Sequence, residues 1–150
     1  MREGDAVADF VLPDQDGNQR KLSDLLAGGP VVLFFYPAAM TSGCTAEACH
    51  FRDLAAEFAE VGAQPVGISA DQVGKQRQFA DAHGFSFPLL SDVDGAVARQ
   101  FGVKRRFGPI PVKRHTFVID EQSRVRAVIR SEFRMAAHAD EALAVLKRQS

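Results

Sequence analysis

A continuous apolar run, VVLFFY at residues 31–36, constrains the fold of this chain more than any other feature, and Pro37 ends it. Six successive apolar residues without alternation are typical of a central strand that is covered on both faces, as in sheets with helices on either side. The run is far too short to cross a bilayer as a helix, which takes about 20 residues. We therefore predict an α/β protein built around this strand.

The segments that follow the run predict further helices and strands. Apolar residues recur at helical spacing from Phe51 to Gly62, which can end a helix, and a second strand is predicted around residues 66–68. Another helix is predicted from an Asp71 cap to about Ala82, ended by Gly84. The later elements are a short extended piece, one or two helical turns, a hairpin and a final helix, at residues 87–90, 96–101, 115–120 with 125–130, and 139–148.

This order of elements predicts the fold class. Strands that alternate with helices and then form a hairpin indicate a mixed central sheet with helices on both faces. The order suits a thioredoxin-like fold. A length of 150 residues fits one domain over residues 1–150, and nothing in the composition marks a linker.

Composition and charge exclude several classes of function. The chain has 46% hydrophobic and 25% charged residues, as an ordinary globular domain does. Its formal net charge of -1 gives no overall field that would attract nucleic acid or an anionic membrane, so neither is expected as a partner. The first five residues, MREGD, lack the layout of a secretory signal, which favours the cytoplasm.

The two cysteines lie where a redox site would be expected. Cys44 and Cys49 follow the central strand, in the segment that joins it to a helix. Open α/β sheets place ligands at the carboxyl ends of their strands, and the partial positive charge at a helix N-terminus stabilises a thiolate. In a cytoplasmic chain such thiols are more typical of redox chemistry, or of inert reduced cysteines, than of a structural bridge.

Neighbouring residues suit an attack on a peroxide. When a thiolate attacks one oxygen of the O–O bond, the other oxygen leaves with growing negative charge and needs hydrogen-bond donors. The Thr41 hydroxyl, the backbone N–H groups near Cys44 and a guanidinium could supply them. Pro37 has no N–H and a rigid ring, so it can shield the sulfur from water. The basic residues 104–106 predict a solvated loop, whereas Arg114 opens an apolar strand, which would point its guanidinium toward the end of the sheet.

The same residues resemble a known family. The pattern P-x-x-x-T-x-x-C, formed by Pro37, Thr41 and Cys44, resembles the active-site signature of peroxiredoxins. The segment CTAEACHFRD, at residues 44–53, is similar to that of the peroxiredoxin Q group, also called bacterioferritin comigratory protein. The segment RHTFVID, at residues 114–120, resembles the one that carries the family's active-site arginine. The similarity covers nearly the whole chain.

The resemblance implies a role for each site residue. Cys44 would be the peroxidatic thiol, Cys49 the resolving thiol, Arg114 the active-site arginine, and Glu47 a residue that orients Arg114. Thr41 and Pro37 complete the signature. Ser42 stands where many relatives have proline, which bears on the rigidity of the loop.

The resemblance also implies an antioxidant activity. The chain would reduce hydrogen peroxide and organic hydroperoxides without a cofactor or a metal. Cys44 would become a sulfenic acid and then form a transient disulfide with Cys49, and thioredoxin or a similar dithiol reductant would restore both thiols. A monomer or a weak homodimer is expected.

The spacing of the cysteines predicts a conformational change. Residues five apart on an α-helix have Cα atoms roughly 8.5 Å apart, whereas disulfide-bonded Cα atoms are at most about 6.8 Å apart. The first turns must therefore unwind before Cys44 and Cys49 can join. We expect the reduced state to keep the helix and the oxidised state to melt it over residues 44–50.

Two other functions remain open for the same cysteines. A thiol-disulfide oxidoreductase would use them too, although the chain lacks C-x-x-C. Fast consumption of peroxide with little reduction of insulin disulfides would separate a peroxidase from such an oxidoreductase. A redox sensor would use the disulfide to switch a surface. Such a sensor would react with peroxide once, and an added thioredoxin system would not sustain consumption.

The four histidines give weaker signals. His50 could join the two cysteines in a zinc site, but no second pair of ligands follows, which disfavours zinc. His115 is predicted as a strand residue rather than a base, because a thiolate nucleophile needs no proton acceptor. His83 and His138 are predicted at the surface.

Overall fold

The computed structural model describes residues 1–108 and 110–149, which form seven strands and six helices within these limits. The strands are β1 Val11–Pro13, β2 Gln19–Lys21, β3 Val31–Phe35, β4 Gln64–Ser69, β5 Leu89–Ser91, β6 His115–Ile119 and β7 Val125–Arg130. The helices are α1 Leu22–Leu26, α2 Ser42–Asp53, α3 Ala55–Glu60, α4 Val73–His83, α5 Ala96–Gln100 and α6 Met135–Gln149. Over the same residues, none of the helices is long and apolar enough to cross a membrane.

Five strands form the central sheet, in the spatial order β5, β4, β3, β6, β7. β3 pairs in parallel with β4, and β4 in parallel with β5, whereas β6 runs antiparallel to both β3 and β7. In this register Leu33 lies between Val66 and Phe117 at the centre of the sheet. The sheet is mixed, as the sequence predicts, and β3 is its central strand.

The side chains of β3 enter two buried clusters in alternation, one on each face of the sheet. Val32 and Phe34 belong to the cluster that α2, α3, α4 and α6 cover. Leu33 and Phe35 belong to the cluster that α1 and α5 cover. Every residue of β3 is buried, which explains its continuous apolar sequence. Helices on both faces confirm the predicted fold class.

Short elements and helix boundaries differ from the predictions. The hairpin of β1 and β2 and the helix α1 were not predicted, because elements of three to five residues are too short to show a period. The helix predicted from Phe51 to Gly62 is interrupted at Leu54, which separates α2 from α3. The last helix begins at Met135 rather than Ala139, after a turn in which the Arg134 N–H donates to the Ser131 hydroxyl at 2.9 Å.

The predicted Asp71 cap of α4 is wrong. The residue at the N-cap position is Gln72, and its side chain makes no capping bond. Asp71 Oδ2 instead accepts hydrogen bonds from the Ala39 N–H and the Ser69 hydroxyl, both at 2.7 Å. The other end of the helix is as predicted, because Gly84 adopts a left-handed φ of 67° there.

Candidate active site

Cys44 lies in the first turn of α2, at the carboxyl end of β3. Phe51, two turns further along the helix, stacks on Phe34 of β3 with ring centroids 4.2 Å apart. This contact anchors the helix on the sheet, and Cys44 is only 1% exposed. The thiol therefore lies at the sheet end that the sequence predicts for it, shielded from bulk water.

Pro37 and Thr41 lie in the loop of residues 36–41 that joins β3 to α2. Pro37 is half-buried near the start of the loop, and Thr41 is the N-cap residue of α2 by its backbone. The exposed Thr41 hydroxyl donates to the Ala38 carbonyl oxygen at 2.7 Å. Its hydrogen bond therefore holds the loop, rather than the Cys44 sulfur.

Arg114 reaches the sulfur from a different part of the sheet. It directly precedes β6, the antiparallel neighbour of β3, and is 6% exposed. Its Nη2 donates to Cys44 Sγ at 3.4 Å, and its Nη1 donates to Glu47 Oε1 at 3.0 Å. Burial acts to lower the pKa of Arg114, but Glu47 and Cys44 raise it, so the guanidinium keeps its charge beside the sulfur.

Glu132, which sequence reasoning missed, fixes the backbone of Arg114. Its Oε1 accepts the Arg114 N–H at 3.1 Å and forms an ion pair with Arg105 at 2.8 Å. Arg105, from the predicted solvated loop, is thus part of the scaffold behind the active-site arginine. No local pattern marks this role, because Glu132 is 18 and 27 positions away from its two partners.

Glu47 is fully buried in the second turn of α2, and its Oε1 accepts a hydrogen bond from Arg114 Nη1 at 3.0 Å. Burial raises the pKa of Glu47 to about 8, although the charge of Arg114 acts to lower it and Glu132 adds to the increase. One charged guanidinium is therefore shared between a thiol and a carboxyl group that holds its proton more tightly than an exposed one.

His138 is buried beside Glu47, so the predicted surface position is wrong. Its Nε2 lies 2.7 Å from the Ser131 carbonyl oxygen and 3.5 Å from Glu47 Oε2, and its Nδ1 lies 2.8 Å from the Thr116 hydroxyl. A carbonyl only accepts, so Nε2 carries the proton. Burial lowers the pKa of His138, which favours the neutral ring. The signal that was missed is the periodicity of α6: its buried face, which includes Ala142 and Leu146, also includes His138 one turn before Ala142.

Of the other two histidines with a predicted position, His115 lies where the sequence predicts and His83 is only partly exposed. His115 is a residue of β6, as predicted, and burial lowers its pKa to about 4, so the ring is neutral. His83 is half-buried at the end of α4, where its ring stacks on Phe85 with centroids 5.6 Å apart. The structure shows no hydrogen bond from either ring to Cys44 Sγ within residues 1–108 and 110–149.

Cys49 is a free, half-buried thiol on the same helix as the free thiol of Cys44. The next residue, His50, pairs with Asp140 of α6 at 2.7 Å. Over residues 1–108 and 110–149, no group of three or more His, Cys, Asp or Glu side chains could hold a metal ion. The described site thus consists of two thiols, one buried guanidinium and one buried carboxyl group.

A free thiol at a helix N-terminus beside a buried guanidinium is the arrangement of a thiol-based redox enzyme. Residues 4–128 match the AhpC/TSA family. A Mycobacterium tuberculosis protein named as a peroxiredoxin is 66% identical over 149 residues, which cover 98% of this chain and 97% of the relative.

Solved structures that are similar to this chain are also peroxiredoxins or related proteins. The crystal structure of the peroxidoxin BcpB from Mycobacterium tuberculosis has a TM-score of 0.96 and 64% identity, covering 100% of this chain and 99% of that one. A Xanthomonas campestris bacterioferritin comigratory protein, studied for alkyl peroxide reduction in trapped intermediate and ligand complexes, has a TM-score of 0.85 and 34% identity, covering 93% and 91%. The chain therefore belongs to the AhpC/TSA family and, within it, to the peroxiredoxin Q or bacterioferritin comigratory protein group. It is a thiol peroxidase that acts on peroxides and requires a thiol reductant.

Proposed function

We propose that this peroxiredoxin reduces hydrogen peroxide and organic hydroperoxides through a disulfide between two cysteines of one chain, and that thioredoxin recycles it in the cytoplasm. The observation that carries the proposal is the position of Cys44 Sγ, 3.4 Å from the Arg114 guanidinium, with a second free thiol five residues later on the same helix.

In the first step the Cys44 thiolate attacks one oxygen of the hydroperoxide. The S–O bond forms as the O–O bond breaks, the sulfur becomes a sulfenic acid, and the other oxygen leaves and takes up a proton to become water or an alcohol. Arg114 is fixed in advance beside this shift of negative charge. The Thr41 hydroxyl would donate to the substrate after leaving the Ala38 carbonyl, and Pro37 presents no competing donor.

In the second step the Cys49 thiol attacks the sulfenic sulfur, the S–S bond forms and water leaves. In the intact helix the two Cα atoms would be roughly 8.5 Å apart, too far for a disulfide, which spans at most about 6.8 Å. Unwinding therefore breaks the contact of Glu47 with Arg114 and strains the pair of His50 with Asp140. Phe51, stacked in the core, would limit the unwinding toward the end of the helix.

A dithiol reductant would then attack the disulfide and leave both cysteines as thiols. Thioredoxin suits this step because the disulfide would lie on an unwound segment that a second protein can reach. The Xanthomonas campestris relative supports organic hydroperoxides as substrates, since its study concerns alkyl peroxide reduction. A monomer suffices for the cycle, because both thiols belong to one helix.

A coupled assay tests the proposal. We expect peroxide-dependent oxidation of a thioredoxin system, with mass spectrometry locating a bond between Cys44 and Cys49. In the Cys49→Ser variant, Cys44 should remain a sulfenic acid that a trapping reagent labels. Sustained turnover without this bond, or no sulfenate adduct in the variant, would refute the resolving role of Cys49.

Amide hydrogen exchange tests the structural change directly. Residues 44–50 should be protected in the reduced protein and exchange freely in the disulfide form, while the core strand β3 stays protected in both. Equal protection of residues 44–50 in the two states would contradict the unwinding.

A further inference from the structure

A chain of buried polar side chains connects the start of the active-site loop to its middle. The Tyr36 hydroxyl donates to Gln76 Oε1, and Gln76 Nε2 donates to the Ser69 hydroxyl at 2.9 Å. The Ser69 hydroxyl donates to Asp71 Oδ2 at 2.7 Å, and the same oxygen accepts the Ala39 N–H at 2.7 Å. The chain thus leaves the loop at Tyr36, passes through β4 and α4, and returns to the loop at Ala39.

Two groups, the Tyr36 hydroxyl and the Gln76 amide, determine which atom donates in each of these hydrogen bonds. Burial raises the pKa of Tyr36, so its hydroxyl stays protonated and donates. Gln76 Nε2 also donates to the Leu90 carbonyl oxygen at 2.8 Å, and because a carbonyl only accepts, this bond determines the orientation of the amide. The hydrogen bonds from Tyr36 through Gln76 and Ser69 therefore run in one direction and end at the Asp71 carboxylate, and bonds in such a chain polarise one another.

The Ala39 amide is the point at which this chain holds the loop. Ala39 is 3% exposed, whereas Met40, the next residue, is exposed and has a positive φ of 70°. Few residues other than glycine adopt a positive φ, because the side chain then approaches the backbone, so contacts around the loop must hold Met40 in this conformation. Thr41 and the first turn of α2 follow directly, so the position of Ala39 sets the position of the turn that carries Cys44.

We propose that Asp71 is a positioning residue of the peroxidatic site. By accepting the Ala39 N–H it holds the loop and the first turn of α2 in the conformation that attacks peroxide, and the release of this bond accompanies the unwinding that brings Cys44 to Cys49. The second part rests on the proposed two-cysteine cycle, whereas the first part does not. Removal of the carboxylate should therefore slow the first chemical step and speed the second.

The first arm of the test measures oxidation of Cys44 by hydrogen peroxide in the Cys49→Ser background, by quenched flow with thiol alkylation and mass spectrometry. We expect Asp71→Ala to lower the second-order rate constant about tenfold, because small displacements of a reacting group cost up to about a hundredfold. Asp71→Asn should lower it less, since its amide keeps one acceptor oxygen. Asp81→Ala, which removes an exposed carboxylate from α4, is the matched control and should leave the rate unchanged.

The second arm measures disulfide closure in the chain with both cysteines. Asp71→Ala should speed closure about threefold and so lower the yield of sulfinic acid at high peroxide, because the folded first turn competes with closure. If the wild-type chain formed no disulfide at all, the proposed cycle would fail, while the oxidation rates in the Cys49→Ser background would still decide the role of Asp71.

Amide exchange separates positioning from a general loss of stability. In Asp71→Ala, faster exchange confined to Ala39 and the first turn of α2 supports the proposal. Faster exchange spread through β3 and β4, or an oxidation rate equal to that of the Asp81→Ala control, would overturn it.

Discussion

The two halves of α2 are held by different kinds of contact. In the first half, Cys44 and Glu47 are buried and share the guanidinium of Arg114. In the second half, the polar link to α6 joins His50 and Asp140, whose side chains are 31% and 59% exposed. A buried pair is costly to break, by about 3–5 kcal/mol when one partner is removed, whereas an exposed pair contributes about 0–1 kcal/mol.

This difference indicates how chemistry and unfolding are coupled in the proposed cycle. In the reactive thiolate form of Cys44, the strong hold on the first half includes the attraction between the sulfur and Arg114, whose Nη2 donates to it at 3.4 Å. Oxidation to a neutral sulfenic acid removes that charge, so the reaction itself loosens the half that must unwind. The contact of His50 with Asp140 needs no such trigger, because water already competes for it, while Phe51 keeps the end of the helix anchored in the core.

The largest expected effect concerns the nucleophile of the first half. Cys44→Ser should lower peroxide consumption in the coupled assay by at least about a thousandfold, because a hydroxyl is far less nucleophilic than a thiolate. Cys49→Ser is the comparison, since it should still reduce one equivalent of peroxide. Undiminished turnover in Cys44→Ser would show that Cys44 is not the nucleophile, and the first half of α2 would then have no special role in the reaction.

Arg114→Lys tests the shared guanidinium. An ammonium keeps the charge but lacks the planar fork that contacts both Cys44 and Glu47. We expect the rate constant of Cys44 oxidation to fall about a hundredfold, as on loss of one oxyanion donor, while the exposed control Arg106→Lys retains the wild-type rate. A less than twofold change in Arg114→Lys would show that the charge alone suffices.

Glu47→Gln tests the buried carboxyl group through pH. Because burial raises the pKa of Glu47 from 4.5 to about 8, the folded protein holds this proton more tightly than the unfolded chain does. Its contribution to stability is therefore present at low pH and is lost as the pH rises toward 8. The melting temperature of the wild type, relative to Glu47→Gln, should fall by several degrees between pH 5 and about 8. A constant difference would mean that Glu47 is ionised throughout.

The smallest expected effect concerns the second half. His50→Ala should speed disulfide closure only about two- to threefold, because it removes an exposed pair. Asp140→Ala should act equally, and the double variant should add nothing further. Additive effects in this double-mutant cycle would show that the two residues act separately.

Much of the fold could be predicted from sequence because its signals are local. The apolar run of β3, the left-handed Gly84 and the hairpin of β6 and β7 each depend on neighbouring residues. The break at Leu54 could not be predicted in this way, because the apolar period continues through it. Asp71 shows the same limit, since its carboxylate suits a cap equally well but binds a loop 32 positions away.

The residues of the candidate site also fall into those that the sequence predicts and those that depend on tertiary packing. The loop signature and the two cysteines form one short segment, so their relation is visible in the sequence, and the contact of Arg114 with Glu47 was expected from the resemblance to peroxiredoxins. His138 was placed wrongly, because its burial depends on how α6 packs against α2 and β6. Glu132 was missed, because it acts on the backbone of a distant residue.

The sequence by itself determined the central strand, the helix that follows it and the five-residue spacing of Cys44 and Cys49, because these depend on the backbone within a few turns. Only the tertiary structure decided which charges surround the sulfur. Arg114 is 70 positions away from Cys44, and only the pairing of β6 with β3 brings the two together. The free energy of such a contact depends on distance and burial, which no local pattern specifies.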